Sequence, residues 1–434
     1  MSVADDARRR IEAIWHIEAA AVIGRAARIV RDIGLAEDLA QDALVAALES
    51  WPRDGIPDNP GAWLLTVTQR RALDHSRHAR MVAARAAEIG MALDFQYESD
   101  SAAALEAVDS ALDDDIGDEL LRLMFTACHP LLPPQARCAL TLRVMGGLST
   151  DDIARAYLKP EPTIAQRIVR AKRSLAAARV GFEVPRGGEL RQRLASVLEV
   201  IYLIFNEGYV AAAGDNWMRP ALCEEALRLG RVLATLMPDE SEVFGLVALM
   251  EIQASRIPAR SSPAGEPVLL LDQDRSRWDR LLIRRGLEAL ARSEASPAAG
   301  QLGPYALQAA IAACHARAAR AEHTDWQRIV ALYDALDQLA PSPVVRLNRA
   351  VAVSMAHGPA AALDLVDELQ AEPALQNYHL LPSVRGDLLA RLQRPDEARL
   401  EFERAAGLAR NVRERALLLS RAQDITHEQH TLSE

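Results

Sequence analysis

Gly146-Gly147-Leu148-Ser149-Thr150-Asp151-Asp152-Ile153-Ala154-Arg155-Ala156-Tyr157-Leu158, then Lys159-Pro160-Glu161-Pro162, then Thr163-Ile164-Ala165-Gln166-Arg167-Ile168-Val169-Arg170-Ala171-Lys172-Arg173-Ser174-Leu175, is the stretch that decides the reading of this chain. Ser149 with Asp152 three residues on forms a capping box that starts a helix. The two prolines stiffen the break and open a second helix at Pro162. In that helix Ile164, Ile168, Ala171 and Leu175 fall at i, i+4, i+7 and i+11 and must face a core. Thr163, Gln166, Arg170 and Arg173 are thereby turned outward, with Arg167 and Lys172 on the flanks. Two helices joined in this way have the form of a helix-turn-helix. The outward residue types suit a major groove, because Arg bonds guanine through two parallel hydrogen bonds, Gln bonds adenine, and flanking cations neutralise phosphates. Taken alone, the same pattern also describes a solvated basic face on a structural hairpin.

Charge changes sign on either side of this motif. Between Leu120 and Arg179 cations that include Arg137, Arg143, Arg155, Lys159, Arg167, Arg170, Lys172, Arg173 and Arg179 outweigh Asp151, Asp152 and Glu161. Upstream, residues 83–119 hold Glu88, Asp94, Glu98, Asp100, Glu106, Asp109, Asp113, Asp114, Asp115, Asp118 and Glu119 against Arg85, which reads as an acidic linker. The whole chain carries a formal charge of -10, so its basic character is confined to segments. Lys159 and Lys172 are its only lysines, a bias toward arginine that carries no mechanism by itself.

Further out, residues 1–82 show helical periodicity interrupted by the turn-rich run Trp51-Pro52-Arg53-Asp54-Gly55-Ile56-Pro57-Asp58-Asn59-Pro60. Beyond residue 182, past Gly181, Pro185, Gly187 and Gly188, helix follows helix to residue 434. There His357-Gly-Pro-Ala-Ala-Ala-Leu and Gln393-Arg-Pro-Asp-Glu-Ala-Arg repeat at an offset of 36, near the roughly 34-residue period of tetratricopeptide (TPR) helix pairs. With 434 residues, 50% hydrophobic and only 4% aromatic, the chain reads as several all-α domains. The expected order is a helical domain at 1–82, the linker at 83–119, the helix-turn-helix domain at 120–182 and a TPR-like array at 183–434.

Several functions are excluded by pattern. Cys128, Cys138, Cys223 and Cys314 form no CxxC pair, so neither a disulfide framework nor a zinc site is expected, and a reducing cytoplasm fits. No run of about 18 apolar residues and no apolar signal core is present, which leaves a soluble, cytoplasmic protein as the expectation. GxxxxGK[ST], GxGxxG, HExxH and GxSxG are absent, and His129, His315 and His379 stand alone. The chain therefore reads as no enzyme, with no catalytic residues, no metal and no cofactor.

Two N-terminal segments make a family resemblance specific. Ala36-Glu37-Asp38-Leu39-Ala40-Gln41-Asp42-Ala43-Leu44 and Pro60-Gly61-Ala62-Trp63-Leu64-Leu65-Thr66-Val67-Thr68-Gln69-Arg70-Arg71-Ala72-Leu73-Asp74-His75-Ser76-Arg77-His78 resemble the second conserved region of extracytoplasmic-function (ECF) sigma factors. Leu142 to Leu175 resembles their fourth region, in the expected order and across an acidic linker. The C-terminal half is similar to the long TPR-like extension of one ECF subgroup through Gln273-Asp274-Arg275-Ser276-Arg277-Trp278, Gly303-Pro304-Tyr305, Thr324-Asp325-Trp326 and Pro341-Ser342-Pro343-Val344-Val345-Arg346-Leu347-Asn348-Arg349-Ala350.

The resemblance implies an alternative sigma factor that binds core RNA polymerase through the clamp helices of its largest subunit and its flap, and directs promoter-specific initiation. Glu37, Asp38, Gln41 and Asp42 would dock on the polymerase. The loop Asp54 to Pro60, with Asn59 and Trp63, would capture an unstacked base of the -10 element. Gln69, Arg70, Arg71, His75 and Arg77, continued by His78 and Arg80, would follow the adjacent duplex and phosphates. At the -35 element Gln166, Arg170 and Arg173 would approach base edges while Thr163, Arg167 and Lys172 contact phosphates. The acidic linker would thread toward the polymerase cleft. The C-terminal array would regulate activity, in one version by folding back on the sigma domains. The break Lys159-Pro160-Glu161-Pro162 departs from the Gly-containing turn of many members, which puts the docking angle in doubt. The competing reading is a one-component helix-turn-helix regulator with a C-terminal sensor domain.

Overall fold

The computed structural model describes residues 3–88, 116–157, 159–210, 218–263, 266–295 and 302–432. Among these residues the regular structure is helical, with one isolated bridge between Ser261 and Pro267. The fold is all-α, as the alanine-rich, aromatic-poor composition implies. The chain divides into two compact units, residues 1–201 and 202–434.

The first unit opens with three mutually packed helices, α1 (Val3–Val30), α2 (Ile33–Asp54) and α3 (Pro60–Glu88). Asp32 starts α2 by accepting the Leu35 amide at 2.9 Å, an N-cap bond that satisfies a donor the helix itself cannot. α2 buries Ala36, Ala40, Ala43, Ala47 and Trp51, a single stripe of small residues ending in one large ring. Pro52 lies in its last turn and Gly55, at φ 89°, ends it. Asn59 then caps α3, its Oδ1 accepting the Ala62 amide at 3.0 Å. At Gly61 the helix passes close to α1, where a Cβ would lie 2.7 Å from the Glu18 carboxyl.

Four shorter helices follow: α4 (Ile116–Ala127), α5 (Pro134–Val144), α6 (Thr150–Tyr157) and α7 (Glu161–Ala177). The capping box forms as read, with Ser149 Oγ accepting the Asp152 amide at 3.0 Å and Asp152 accepting the Ser149 amide at 3.2 Å. Ile164, Ile168, Ala171 and Leu175 are all buried. The second helix begins at Glu161, one residue before the expected Pro162, because Pro160 in extended backbone takes the N-cap position and leaves Pro162 within the first turn. Most of the acidic segment, residues 89–115, lies outside the described residues, and its two ends belong to α3 and α4.

The next helix, α8 (Gly187–Tyr209), is bonded through its first half to α4 and α5. Arg193 Nη2 donates to the Phe125 carbonyl at 3.1 Å, and Ser196 Oγ donates to the Cys128 carbonyl at 2.5 Å. Arg137, buried on α5, donates to Ser196 Oγ and pairs with Glu199 at 2.8 Å. These bonds are why the first compact unit runs to Ile201, beyond the Gly/Pro punctuation near residue 182.

The second unit continues through α9 (Pro220–Leu236), α10 (Ser241–Ala254), α11 (Arg280–Ala295), α12 (Pro304–Arg317), α13 (Trp326–Leu339), α14 (Pro343–His357), α15 (Pro359–Leu369), α16 (Leu380–Arg391), α17 (Pro395–Leu408) and α18 (Val412–Leu432). From α13 onward each helix packs chiefly on its sequence neighbours, the arrangement of a repeat array. The 36-residue offset is visible in the packing: Ala362, Val366 and Leu369 of α15 and Ala398, Phe402 and Ala405 of α17 are buried at matching positions.

The C-terminal sequence motifs are joints of this array. Arg275 Nη1 donates to the His315 and Ala318 carbonyls, both at 2.7 Å, and its guanidinium lies 5.0 Å from the centre of the Trp278 ring. Glu242 of α10 accepts the Tyr305 and Ala306 amides at 2.9 and 3.1 Å and so caps α12 from outside. Asp325 caps α13 through the Arg328 amide at 2.9 Å. All four cysteines are buried and free, and burial pushes the thiols of Cys128 and Cys223 up to about 12 and that of Cys138 up to about 11.

Candidate nucleic-acid interface

The helix-turn-helix presents the face read from its sequence. On α7, Thr163, Gln166, Arg170 and Arg173 are exposed and Arg167 is half-buried. Lys172 departs from this set. Its ammonium turns away from the outward face and pairs with Glu37, and it lies 3.3 Å from Asp38 Oδ1, both on α2.

The side chains expected to meet polymerase divide accordingly. Asp38 is open, its side chain 73% exposed, Asp42 is exposed, and Gln41 is half-buried. Asp42 pairs loosely with Arg71 of α3 at 3.3 Å. Glu37 is different. Its side chain is 5% exposed, and Arg143 of α5 donates from Nε to Glu37 Oε1 at 2.8 Å while Lys172 takes the other oxygen. Two groups of residues expected to bind different partners are thus held against one another.

The loop between α2 and α3 forms an open recess of about 520 Å³ lined by Ser50, Trp51, Asp54, Gly55, Ile56, Pro57, Asp58 and Trp63. Trp51 and Trp63 meet edge to face with ring centres 5.3 Å apart, which gives the recess a rigid aromatic wall. The indole N–H of Trp51 is buried with no hydrogen-bond partner. Trp51 escaped the sequence reading, although its place at the end of the Ala36 to Ala47 stripe could have flagged it. Asn59 stands beside the recess, but its side chain is occupied as the α3 cap.

Along α3, Arg70, His75, Arg77, His78 and Arg80 are exposed, and Gln69 and Arg71 are half-buried. Arg77 has a weak contact with Asp74 at 3.5 Å, well exposed and open to exchange for a phosphate. The helix therefore carries cations outward from the aromatic recess. Among the described residues no group of three His, Cys, Asp or Glu side chains could hold a metal ion, and no helix is long and apolar enough to cross a membrane.

Comparison with known proteins bears on this arrangement. Sigma-70 region 2 matches residues 17–81, Sigma-70 region 4 matches residues 122–175, and a family of unknown function (DUF6596) matches residues 193–294. An uncharacterized protein (R00370) of Rhizobium meliloti (strain 1021) is 44% identical over 413 residues, 95% of each chain. The ECF RNA polymerase sigma factor SigK of Mycobacterium ulcerans is 32% identical over 158 residues, 36% of this chain and 77% of that one. The probable ECF RNA polymerase sigma factor SigI of Mycobacterium tuberculosis is 31% identical over 174 residues, which span 40% of this chain and 57% of that one. The crystal structure of yeast Tom70 aligns with a TM-score of 0.36 at 10% identity, covering 94% of this chain and 82% of that chain, too distant a likeness to bear on the arrangement of the helices. With regions 2 and 4 matched in order on the two helical domains that carry the aromatic recess and the helix-turn-helix, the chain belongs to the ECF family of RNA polymerase sigma factors and extends beyond region 4 in a long helical array.

Proposed function

We propose that this sigma factor binds core RNA polymerase through α2 and α3, captures a non-template base of the -10 element in the recess between them, and reads the -35 element with α7. The observation that carries the reading is the recess walled by Trp51 and Trp63. It is open, aromatic and large enough for a nucleobase, and a cationic helix surface leads away from it, the combination that single-stranded DNA requires. Asp38, Gln41 and Asp42 offer an acidic patch to a basic polymerase surface, and Glu37 joins them once its partners release it.

On α7, Gln166, Arg170 and Arg173 meet base edges, and Thr163 and Arg167 meet phosphates. Lys172 reaches a phosphate after leaving Glu37. The C-terminal array regulates activity through a surface or partner that its sequence does not name. A regulator that binds duplex operator DNA without polymerase would leave the aromatic recess idle.

The test is transcription by the purified full chain with core RNA polymerase on a promoter library. Promoter-specific transcripts that disappear with Trp63→Ala support the reading. Tight binding to duplex DNA without polymerase, and no transcript with it, would replace it with the one-component regulator.

A further inference from the structure

Arg256, Arg260 and Arg275 lie together in the second compact unit, the first two just beyond α10 and the third just before Trp278, and are only 8%, 7% and 7% exposed. They alternate with aromatic rings. The Arg260 guanidinium lies 3.5 Å from the centre of the Tyr209 ring, that of Arg256 stands 5.9 Å from both Tyr209 and Trp278, and that of Arg275 stands 5.0 Å from Trp278. Among the described residues Arg256 forms no ion pair: its side chain donates to Gln253 and leans on the two rings. Its charge bears on its basic neighbours. After burial, Arg256 is the group that holds His315 and Arg275 down, and it also lowers Arg260. Like charges gathered out of water repel one another unless an anion joins them. Arg256 Nε, Arg275 Nε, Trp278 Nε1 and His315 Nδ1 are moreover buried without a hydrogen-bond partner, a concentration that native interiors avoid.

This cluster borders a concave polar surface. Tyr333 of α13 and Tyr378, just before α16, are half-buried, yet burial pushes the Tyr333 phenol up to about 12 and raises that of Tyr378. A group that touches water and still pays heavily for burial sits in a recess rather than on a rounded surface. Arg256 acts on Tyr333, Tyr202 acts on both Tyr333 and Tyr378, and Arg260 acts on Glu414 of α18, so side chains from widely separated helices face one space. Tyr202 also sets its ring against Tyr305, with centres 5.5 Å apart. Three sequence motifs that the sigma-factor reading leaves unused meet here. Tyr305 belongs to one, Arg275 and Trp278 to another, and in the third Thr324 Oγ1 accepts from Arg275 at 3.3 Å while Trp326 packs on His315.

We propose that this recess binds a small molecule bearing an oxyanion, a carboxylate or a phosphate, with the negative group on Arg256 and the polar body against the phenols of Tyr202, Tyr333 and Tyr378. A guanidinium takes two oxygens of either group side by side. The phenols both donate and accept, which suits a ligand that carries hydroxyls. The site is read from the second unit alone; control of initiation by its ligand rests in addition on the sigma-factor reading.

Thermal unfolding of the full chain tests it. Wild type, Arg256→Met and Tyr333→Phe are titrated in chloride buffer with inorganic phosphate in one series and with citrate in the other. One of the two is expected to raise the unfolding temperature of the wild type by several degrees and to saturate at millimolar concentration or below, and which one does so tells phosphate from carboxylate. Arg256→Met is expected to lose the saturable shift, and Tyr333→Phe to need several-fold more ligand for it. General stabilisation by either salt, through exclusion from the protein surface, climbs without saturating and is common to all three chains. The absence of a saturable shift in both series would overturn the site, and so would an undiminished shift in Arg256→Met. Should Arg256→Met fail to fold, Tyr333→Phe, which removes one oxygen atom, decides alone, and an unchanged titration overturns the site. Polymerase and DNA take no part, so failure here leaves the sigma-factor reading intact, and a chain that binds the anion but directs no transcription keeps the site and loses that reading.

Discussion

The His315 ring is 7% exposed, set edge to face on Trp326 with ring centres 5.1 Å apart. Burial first, then the positive charges of Arg256 and Arg275, hold its pKa down to about 3 from an ordinary 6.5. Between those values the unfolded chain takes up a proton that the folded one refuses, so this contribution to stability is fully present above pH 6.5 and is lost as the pH falls toward 3. The slope is about 1.4 kcal/mol per pH unit. Thermal unfolding of the full chain followed from pH 7 to pH 5 is expected to fall more steeply in the wild type than in His315→Gln. On α7, Arg170→Ala is expected to weaken -35 recognition by about 1–3 kcal/mol and to blur base preference, measured against scrambled -35 sites. Lys172→Ala is expected to cost less, because it loses a phosphate contact and its ion pair with Glu37 together. The outward set Thr163, Gln166, Arg170 and Arg173 was legible because helical period alone fixes it. The fate of Lys172 was not, because its partners Glu37 and Asp38 lie in another domain and no local pattern records a pairing across that distance.

Among elements, the beginnings of helices were the most readable. The Ser149 and Asp152 box starts α6 through two reciprocal bonds, and Ser149→Ala is expected to lower the stability of the first unit by about 0.5–2 kcal/mol in denaturant melts. Prolines open α9, α12, α14, α15 and α17, since the first turn has no use for the amide hydrogen that proline lacks. The matched burial of α15 and α17 likewise follows from a repeat written in the sequence. The first half of α8 was hidden for a physical reason. Pro185, Gly187 and Gly188 punctuate the chain as a domain break would, whereas the bonds of Arg193 and Ser196 reach back to carbonyls on or just past α4, a relation of tertiary structure that local composition does not carry.

For the molecule as a whole, this hidden helix decides where the chain can be cut. A fragment ending at Pro185 loses Arg193, Ser196 and Glu199, and with them the bonds that join α8 to α4 and to Arg137 of α5. A fragment ending at Ile201 keeps them. Thermal melts are expected to show the longer fragment unfolding cooperatively at a clearly higher temperature than the shorter one. All-α architecture and the order of the two sigma regions were readable because composition and motif spacing survive in one dimension, while the pairing of Glu37 with Arg143 and Lys172 joins residues far apart in the chain. The cysteines carry a consequence of another kind. Oxidants attack thiolates, and Cys128, Cys138 and Cys223 are buried with their thiols held well above neutral pH. These three thiols therefore offer almost no thiolate for a peroxide to attack at neutral pH.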